Sequence, residues 1–275
     1  MTPTSTKTTP PAPTKPTRRI LGLGLATIVV AAIALGLIYF FGGAEPPEVD
    51  LDATVNAVAQ STILESTTQS TSPDSAPDTT LASDSGLIPS DVTGRWIVDT
   101  DTGTFSIEEA TASYAGFRVD EELAQIGAST AVGRSPVVSG AVTIDQTTIT
   151  QAEIEVDLTA IVTDESRRNR AIRQALNTAQ YPTATFVLTE PIDFGEVPTE
   201  GATVTATATG DMTINGVTRT IEIPLEAQVA GESILIVGST EVVFADFQVD
   251  TPSAPMVLSV ADQGTIEVQL WLKRA

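Results

Sequence analysis

The chain has 275 residues and a formal net charge of −21, and it contains neither histidine nor cysteine. Without cysteine there is no disulfide and no thiolate metal site, and without histidine the commonest general base and metal ligand is missing. The negative charge also disfavours nucleic acid as a partner, because phosphates repel it. We therefore expect no metal, no cofactor and no nucleic-acid binding.

The charge divides the chain at Glu45, since four basic and no acidic residues precede it and ten basic and 35 acidic residues make up the charge of the remainder. Residues 1–19, rich in threonine and proline, are predicted to be a disordered cytoplasmic tail. Residues 20–41 hold 22 uncharged residues with aromatic residues at their end, and a helix needs about 20 to cross a bilayer. The pattern predicts a single-pass transmembrane helix in the cell membrane, with a cytoplasmic N-terminus and an extracytoplasmic remainder.

A cleaved signal peptide is the alternative interpretation of residues 20–41. Gly42, Gly43 and Ala44 would suit a signal peptidase, although the apolar core of a signal peptide is normally about 7–15 residues long. Residues 42–93 that follow have no aromatic residue, lysine or arginine. They are predicted to be a disordered extracytoplasmic linker, because they offer too little apolar surface to offset the entropy of ordering.

Residues 94–275 are predicted to form one all-β domain. Apolar and polar residues alternate along residues 149–161, 202–214 and 217–229, and a period of two is typical of a strand with one apolar and one solvated face. Asn215-Gly216 lies between the last two segments and is a strong hairpin signal. Further candidate strands are residues 96–99, 104–108, 115–119, 137–144, 183–189, 233–237, 242–247 and 264–272. Eight or more antiparallel strands predict a sandwich or a barrel.

Residues 164–186 break the alternation and hold four arginines within seven residues. Asp164 can cap a helix, and at about 100° per residue the apolar residues between Ala171 and Ala179 share one face. Arg168 falls near the centre of this face, whereas the other three arginines lie off it. Tyr181-Pro182 is predicted to end the helix, because the residue before proline avoids the α region.

These segments, in this order, resemble the YceI-like family of bacterial extracytoplasmic proteins. The motifs are WIVD (96–99), VVSGAVTID (137–145), TDESRRNRAIRQALNTAQYPTATF (163–186), GDMTINGVTRTIEIPL (210–225), FADF (244–247) and GTIEVQLWL (264–272). The resemblance covers residues 94–275 and implies an antiparallel, lipocalin-like barrel of about eight strands with one helical crossover. It also implies a cavity that holds a polyisoprenoid or similar lipid. Histidines common in relatives are absent, and Asn169 stands where aspartate is frequent, so no metal or haem role is expected.

Arg168 and the inward residues of the predicted strands are the candidate ligand-binding residues. They are Phe117, Ile154, Val156, Leu158, Arg168, Phe186, Leu188, Met212, Ile214 and Ile223. The apolar members either line a cavity or pack against one another, and small inward residues such as Ala206 would leave room for a cavity. Arg168 either meets a polar or phosphate head group or pairs with a carboxylate such as Asp157 or Asp164.

The expected function is that of a membrane-anchored, extracytoplasmic lipid-binding protein. The alternative is a non-enzymatic structural or interaction module of the cell envelope with a filled barrel. Carboxylate pairs such as Glu153 and Glu155 lie on a solvated strand face, so no catalytic site is expected. A lipid ligand and the membrane are the expected partners, and a monomer and a homodimer both remain open.

Overall fold

The computed structural model describes residues 45–68, 91–124, 126–164, 166–251 and 257–275. The predicted cytoplasmic tail and transmembrane helix lie outside these residues. Among the helices that are described, none has both the length and the apolar character needed to cross a membrane. The described residues belong to one structural unit, which spans residues 44–275.

The described part of the chain contains thirteen strands, two α-helices and two 3-10 helices. In chain order they are α1 (Leu51–Thr68), β1 (Gly94–Asp99), β2 (Tyr114–Leu123), β3 (Gly127–Ser135), β4 (Val138–Asp145), β5 (Thr148–Asp157), a 3-10 helix (Leu158–Ala160), β6 (Val162–Thr163), α2 (Ser166–Ala175), β7 (Thr183–Leu188), β8 (Ile192–Asp193), β9 (Thr203–Ile214), β10 (Val217–Ala230), β11 (Ser233–Val243), a 3-10 helix (Phe244–Phe247), β12 (Val257–Val260) and β13 (Gln263–Arg274).

Eight strands form a closed antiparallel barrel in the order β1-β4-β5-β7-β9-β10-β11-β13, and β13 pairs back with β1. In the closing register Val98 lies opposite Leu272. The same edge of β13 also pairs with β2 through residues 265–269, and β2 continues into a hairpin with β3. The predicted all-β barrel of eight strands is therefore confirmed.

The two ends of the barrel differ in their connections. At one end, the β4–β5 end, tight turns join β4 to β5 and β10 to β11, with Asp145 opposite Thr148 and Ala230 opposite Ser233. At the other end, the α2 end, the β9–β10 turn and the crossover from β5 to β7 are found. The predicted β9–β10 hairpin is confirmed, because Asn215 and Gly216 have φ values of +52° and +74°, which a two-residue type I′ turn requires.

The helical crossover is confirmed, but its predicted end at Tyr181-Pro182 is wrong. Helix α2 ends at Ala175, and Asn177 adopts a left-handed φ of +51°. The Thr178 N–H donates to the Arg173 carbonyl at 3.0 Å. A left-handed asparagine just after the last turn is a common helix terminator, and it acts here before the proline does.

Two strand predictions are also wrong, residues 104–108 entirely and residues 242–247 beyond Val243, where β11 ends. Residues 104–108 form no strand; the Thr104 carbonyl accepts instead from the N–H groups of Thr111 and Ala112 at 2.9 and 3.1 Å, which closes an irregular loop. Phe244–Phe247 forms a 3-10 helix that ends at Gln248 in a left-handed conformation. Alternation over four or five residues does not distinguish a strand from these local turns.

The prediction that residues 42–93 are a disordered linker is wrong where α1 forms. Asp50 caps this helix, since the Ala53 N–H donates to its Oδ1 at 2.7 Å. The helix packs on the outside of the barrel. The contacting residues are Leu51, Val55 and Val58 of α1 with Leu235, Val237 and Trp271 of β11 and β13.

Composition alone does not reveal this helix, because the order of the segment depends on the spacing of its few apolar residues. Leu51, Val55 and Val58 recur at i, i+4 and i+7, which places them on one helical face. The barrel also supplies an outward apolar surface, which includes Trp271 with only 3% of its surface exposed. A few apolar residues therefore suffice to order the segment.

The glycines in two tight turns provide a matched test of the fold. Gly216 and Gly231 have φ values of +74° and +61°, but a Cβ on Gly216 would lie 2.5 Å from the Tyr181 ring and one on Gly231 would have no neighbour within 4 Å. We expect Gly231→Ala to lower the free energy of unfolding by about 1 kcal/mol through backbone strain. Gly216→Ala should add about 1–3 kcal/mol of overpacking. Urea denaturation measures both, and equal losses would contradict the packing of Tyr181 on the turn.

Candidate functional site

An apolar pocket lies inside the barrel towards the β4–β5 end, with a volume of about 60 Å³. Its sixteen lining residues come mainly from the strands around it and include no charged residue. Representative lining residues are Val142, Ile144, Ala206, Ala227, Ile234 and Leu272. The amide of Gln228, the lining residue with a polar side chain, donates to the Gly201 carbonyl at 2.6 Å.

Strand register explains why the pocket forms at this place. Val204 and Ala206 of β9 lie opposite Ala227 and Leu225 of β10, and all four line the pocket. Alternation places each of them on the inner face. Because Ala206 and Ala227 have small side chains, they leave space that leucine or phenylalanine would fill.

The size of the pocket limits what it holds without rearrangement. A cavity of about 10–15 Å³ can hold one water, and an apolar one stays dry, whereas pockets for small molecules are usually about 300–1,000 Å³. At about 60 Å³, the pocket accommodates a short apolar group. A longer ligand requires the lining side chains to move.

The predicted ligand-binding residues are not among those that line this pocket. Met212 and Ile223 are buried with Val242 and Phe247 in a cluster towards the α2 end, and Phe186 and Ile214 pack against it. Ile154 and Val156 belong to the core that contains Trp96. Leu158 is buried in the first 3-10 helix, and Phe117 and Leu188 are half-buried. None of the ten predicted residues lines the pocket, and their contact with a ligand stays a prediction.

Two of the aromatic candidates lie directly over glycines of neighbouring strands. A Cβ on Gly210 would overlap the Phe186 ring, and a Cβ on Gly133 would lie 2.5 Å from the Phe117 ring. Each ring therefore packs on bare backbone, so both glycines make room for an aromatic side chain.

Arg168 is held between two carboxylates, and its side chain is 17% exposed. Its Nη1 lies 2.7 Å from Asp164 Oδ1, and its Nη2 pairs with Glu121 of β2. The predicted pairing with Asp164 is confirmed. Asp157 instead accepts from the Thr159 N–H at 2.8 Å and caps the first 3-10 helix. With both carboxylates ionised the trio has a net charge of −1, which disfavours a phosphate head group at Arg168; the predicted head-group contact stays a prediction.

Asn169 has a structural role at the start of α2. Its Oδ1 accepts from the N–H and the hydroxyl of Thr163 at 2.8 and 2.7 Å. These bonds fix the corner between β6 and α2. A neutral amide oxygen therefore serves as the acceptor at this corner.

Burial raises the pKa of Glu121; the Arg168 guanidinium opposes this effect and the Asp164 carboxylate adds to it.

No group of three or more carboxylates that could hold a metal ion occurs in residues 45–68, 91–124, 126–164, 166–251 and 257–275. Glu153 and Glu155 are exposed on β5, as their strand positions predict.

Sequence reasoning missed lining residues such as Val142, Ile144 and Ile234. Alternation identifies the inner face of a strand, but it is the same at both ends of the barrel. Which end of the barrel keeps free space depends on the volumes of side chains that come from strands distant in sequence. The signal that does point to the pocket is the small inward residue Ala206, which lines it.

The sequence model of the YceI-like domain matches residues 96–272. A UPF0312 protein of Vibrio parahaemolyticus is 28% identical over 141 residues, which cover 48% of this chain and 71% of that protein. A UPF0312 protein of Shewanella denitrificans is 28% identical over 150 residues, which cover 50% and 74%.

Solved structures with similar folds have lower identity. A polyisoprenoid binding domain from Saccharophagus degradans, implicated in plant cell wall breakdown, is 16% identical with a TM-score of 0.48 and covers 66% of this chain and 98% of its own. BcnA of Burkholderia cenocepacia is 20% identical with a TM-score of 0.44 and covers 57% and 95%.

Replacing Arg168 tests the electrostatics of this corner. Arg168→Met removes the guanidinium that lowers the pKa of Glu121, so we expect that raised pKa to rise further. Arg170→Met is the matched control, because Arg170 is exposed on the same helix. Carboxyl-carbon NMR titration measures the pKa in each protein.

The sign of the stability change follows from linkage. The pKa of Glu121 in the folded state is above its ordinary value of 4.5, so the folded state binds this proton more tightly. The stability that Glu121 contributes is therefore fully present below about pH 4.5 and is lost as pH rises through the raised pKa. In Arg168→Met this loss should extend to higher pH. An Arg168→Met titration identical to that of the unaltered protein would contradict the ion pair.

Proposed function

Since the chain belongs to the YceI-like family, we propose that its barrel binds a long apolar lipid, such as a polyisoprenoid or a similar amphiphile. The observation that carries the proposal is the pocket inside the closed barrel, whose lining contains no charged residue. Such a lining suits a hydrocarbon chain and offers nothing to bind an ionic ligand. The role is passive binding, with no catalytic step.

Burial of the apolar chain drives binding. Each Å² of apolar surface removed from water contributes roughly 25 cal/mol, less the cost of ordering the ligand and the lining side chains. Because a polyisoprenoid is much larger than about 60 Å³, binding requires the pocket to expand.

Leu225 is the residue through which the pocket would expand towards the α2 end. It lines the pocket and also packs against the cluster of Met212 and Ile223. One methyl group of Leu225 lies over Gly238, and a Cβ built on Gly238 would be 2.5 Å from that methyl carbon. A change of the Leu225 rotamer would join the pocket to that cluster and bring the predicted ligand-binding residues Phe186, Met212, Ile214 and Ile223 into contact with the lipid.

The proposal includes a membrane location. Residues 20–41 are uncharged, basic residues precede them and acidic residues follow. This pattern supports a transmembrane anchor with the barrel on the extracytoplasmic side, where the barrel would take its ligand from the bilayer.

The small pocket favours a second candidate function. A pocket of about 60 Å³ beside a packed cluster at the α2 end leaves little room for a lipid unless the side chains move. Without that movement, the barrel would act as a structural or interaction module of the cell envelope. This alternative predicts that the protein takes up no lipid even when lipid is in excess.

Filling the pocket distinguishes the two functions. We expect the unaltered protein to take up a radiolabelled polyprenol, and Ala206→Phe to weaken uptake about tenfold or more, because overpacking costs about 1–3 kcal/mol. Thr205→Phe is the matched control, since Thr205 is exposed on the adjacent position of β9. Thermal denaturation shows that both variants fold. Absence of uptake by the unaltered protein, or equal uptake by both variants, would contradict lipid binding in this pocket.

A further inference from the structure

The outer face of β2, β3 and β13 carries charged side chains that are buried. Arg118, Arg134 and Glu267 are only 6%, 1% and 1% exposed, although Glu267 alternates with the inward residues Ile266 and Val268 of β13. The Arg134 guanidinium carbon lies 4.6 Å from the centroid of the Tyr114 ring. Charged residues on the outside of a barrel are normally solvated, so these residues must be covered by another part of the chain.

Part of the cover is the segment without regular secondary structure that precedes α1, residues 45–50. Arg118 Nη1 lies 2.8 Å from Glu45 Oε1, and its Nη2 donates to the Pro46 carbonyl. Arg134 Nη2 donates to the Pro47 carbonyl. Two prolines suit this position, because they present carbonyl acceptors and bring no N–H that would need a partner.

Helix α1 extends the cover across β13 and β11. The Thr54 hydroxyl donates to Gln269 Oε1 at 2.9 Å, and Leu51, which is 3% exposed, packs with Leu235 and Trp271. Residues 45–58, which we call the strap, thus combine polar contacts at one end with apolar contacts at the other.

The charge of the strap is complementary to the charge of the residues that it covers. Two arginines, Arg118 and Arg134, face one carboxylate, Glu267, so this trio has a net charge of +1. Glu45 neutralises this charge, and the two proline carbonyls satisfy further guanidinium N–H groups. Burial raises the pKa of Tyr114 to about 12, so its ring stays neutral beside Arg134.

We propose that this outer face is a peptide-binding surface and that its occupant is the chain's own strap, residues 45–58. The recognised features are an acidic residue, two consecutive prolines and a first helical turn with a buried leucine, Leu51. The strap gives the chain before Thr68 a second, non-covalent connection to the barrel besides the covalent one through residues 69–90. This proposal is independent of lipid binding.

Cleavage of the full chain between strap and barrel tests the proposal. A specific protease site is introduced within residues 69–90, and the detergent-purified protein is cut and passed through a size-exclusion column. We expect the fragment that ends at the cut to elute with the barrel. Separation of the two fragments at micromolar concentration would overturn the proposal.

Substitutions in the strap leave the barrel sequence intact and make the test specific. Leu51→Asp places a charge in the buried contact, and we expect the fragment to dissociate at least tenfold faster after cleavage. Asn56→Asp adds the same charge at an exposed position of α1 and should leave dissociation unchanged. A synthetic peptide of residues 44–60 should displace the cleaved fragment. Equal dissociation of the two variants would overturn the assignment of this surface.

Discussion

The structure depends on the pairing of β13 with three strands. One edge pairs with β11, and the other pairs with β2 and then with β1, which closes the ring. The inward residues of β13, such as Leu270, belong to the core. Its outward residues hold the surrounding chain: Gln269 donates to the Ala110 and Ala112 carbonyls at 3.1 and 2.9 Å, and Trp271 donates to the Thr111 carbonyl at 2.8 Å. One alternating strand therefore organises the inside and the outside of the barrel.

Because the ring of strands is closed, the free space inside the barrel depends on the volumes of the inward side chains. Towards the α2 end, Met212, Ile223 and Phe247 fill the space, whereas Ala206 and Ala227 leave a pocket nearer the β4–β5 end. Leu225 borders both regions, so the same barrel has a small pocket at rest and a residue at which it could open. This arrangement relates the two candidate functions, because they differ in whether Leu225 moves.

The sequence predicted the features that local patterns determine. Alternation located most barrel strands, Asn215-Gly216 identified the β9–β10 turn, and the helical projection placed Arg168 on the face that the helix covers, where it pairs with Glu121 of β2. Local patterns in the sequence could not predict features that depend on distant segments of the chain. Glu267 has the same outward position as a solvated residue, but it is buried with Arg118 and Arg134, which the strap, more than 200 residues earlier in the chain, helps to cover. The helix α1 was missed for the same reason, since Leu235 and Trp271 are what make Leu51 and Val55 ordered.

The central claim is that the barrel carries an apolar lipid, and native mass spectrometry of the full chain tests it most directly. The protein is purified gently from the cells that produce it and ionised without added lipid, and the spectra also distinguish a monomer from a homodimer. The account predicts an added mass that corresponds to an isoprenoid or similar lipid and that is lost on collisional activation. Spectra that show only the mass of the polypeptide, before and after incubation with polyprenols, would contradict it.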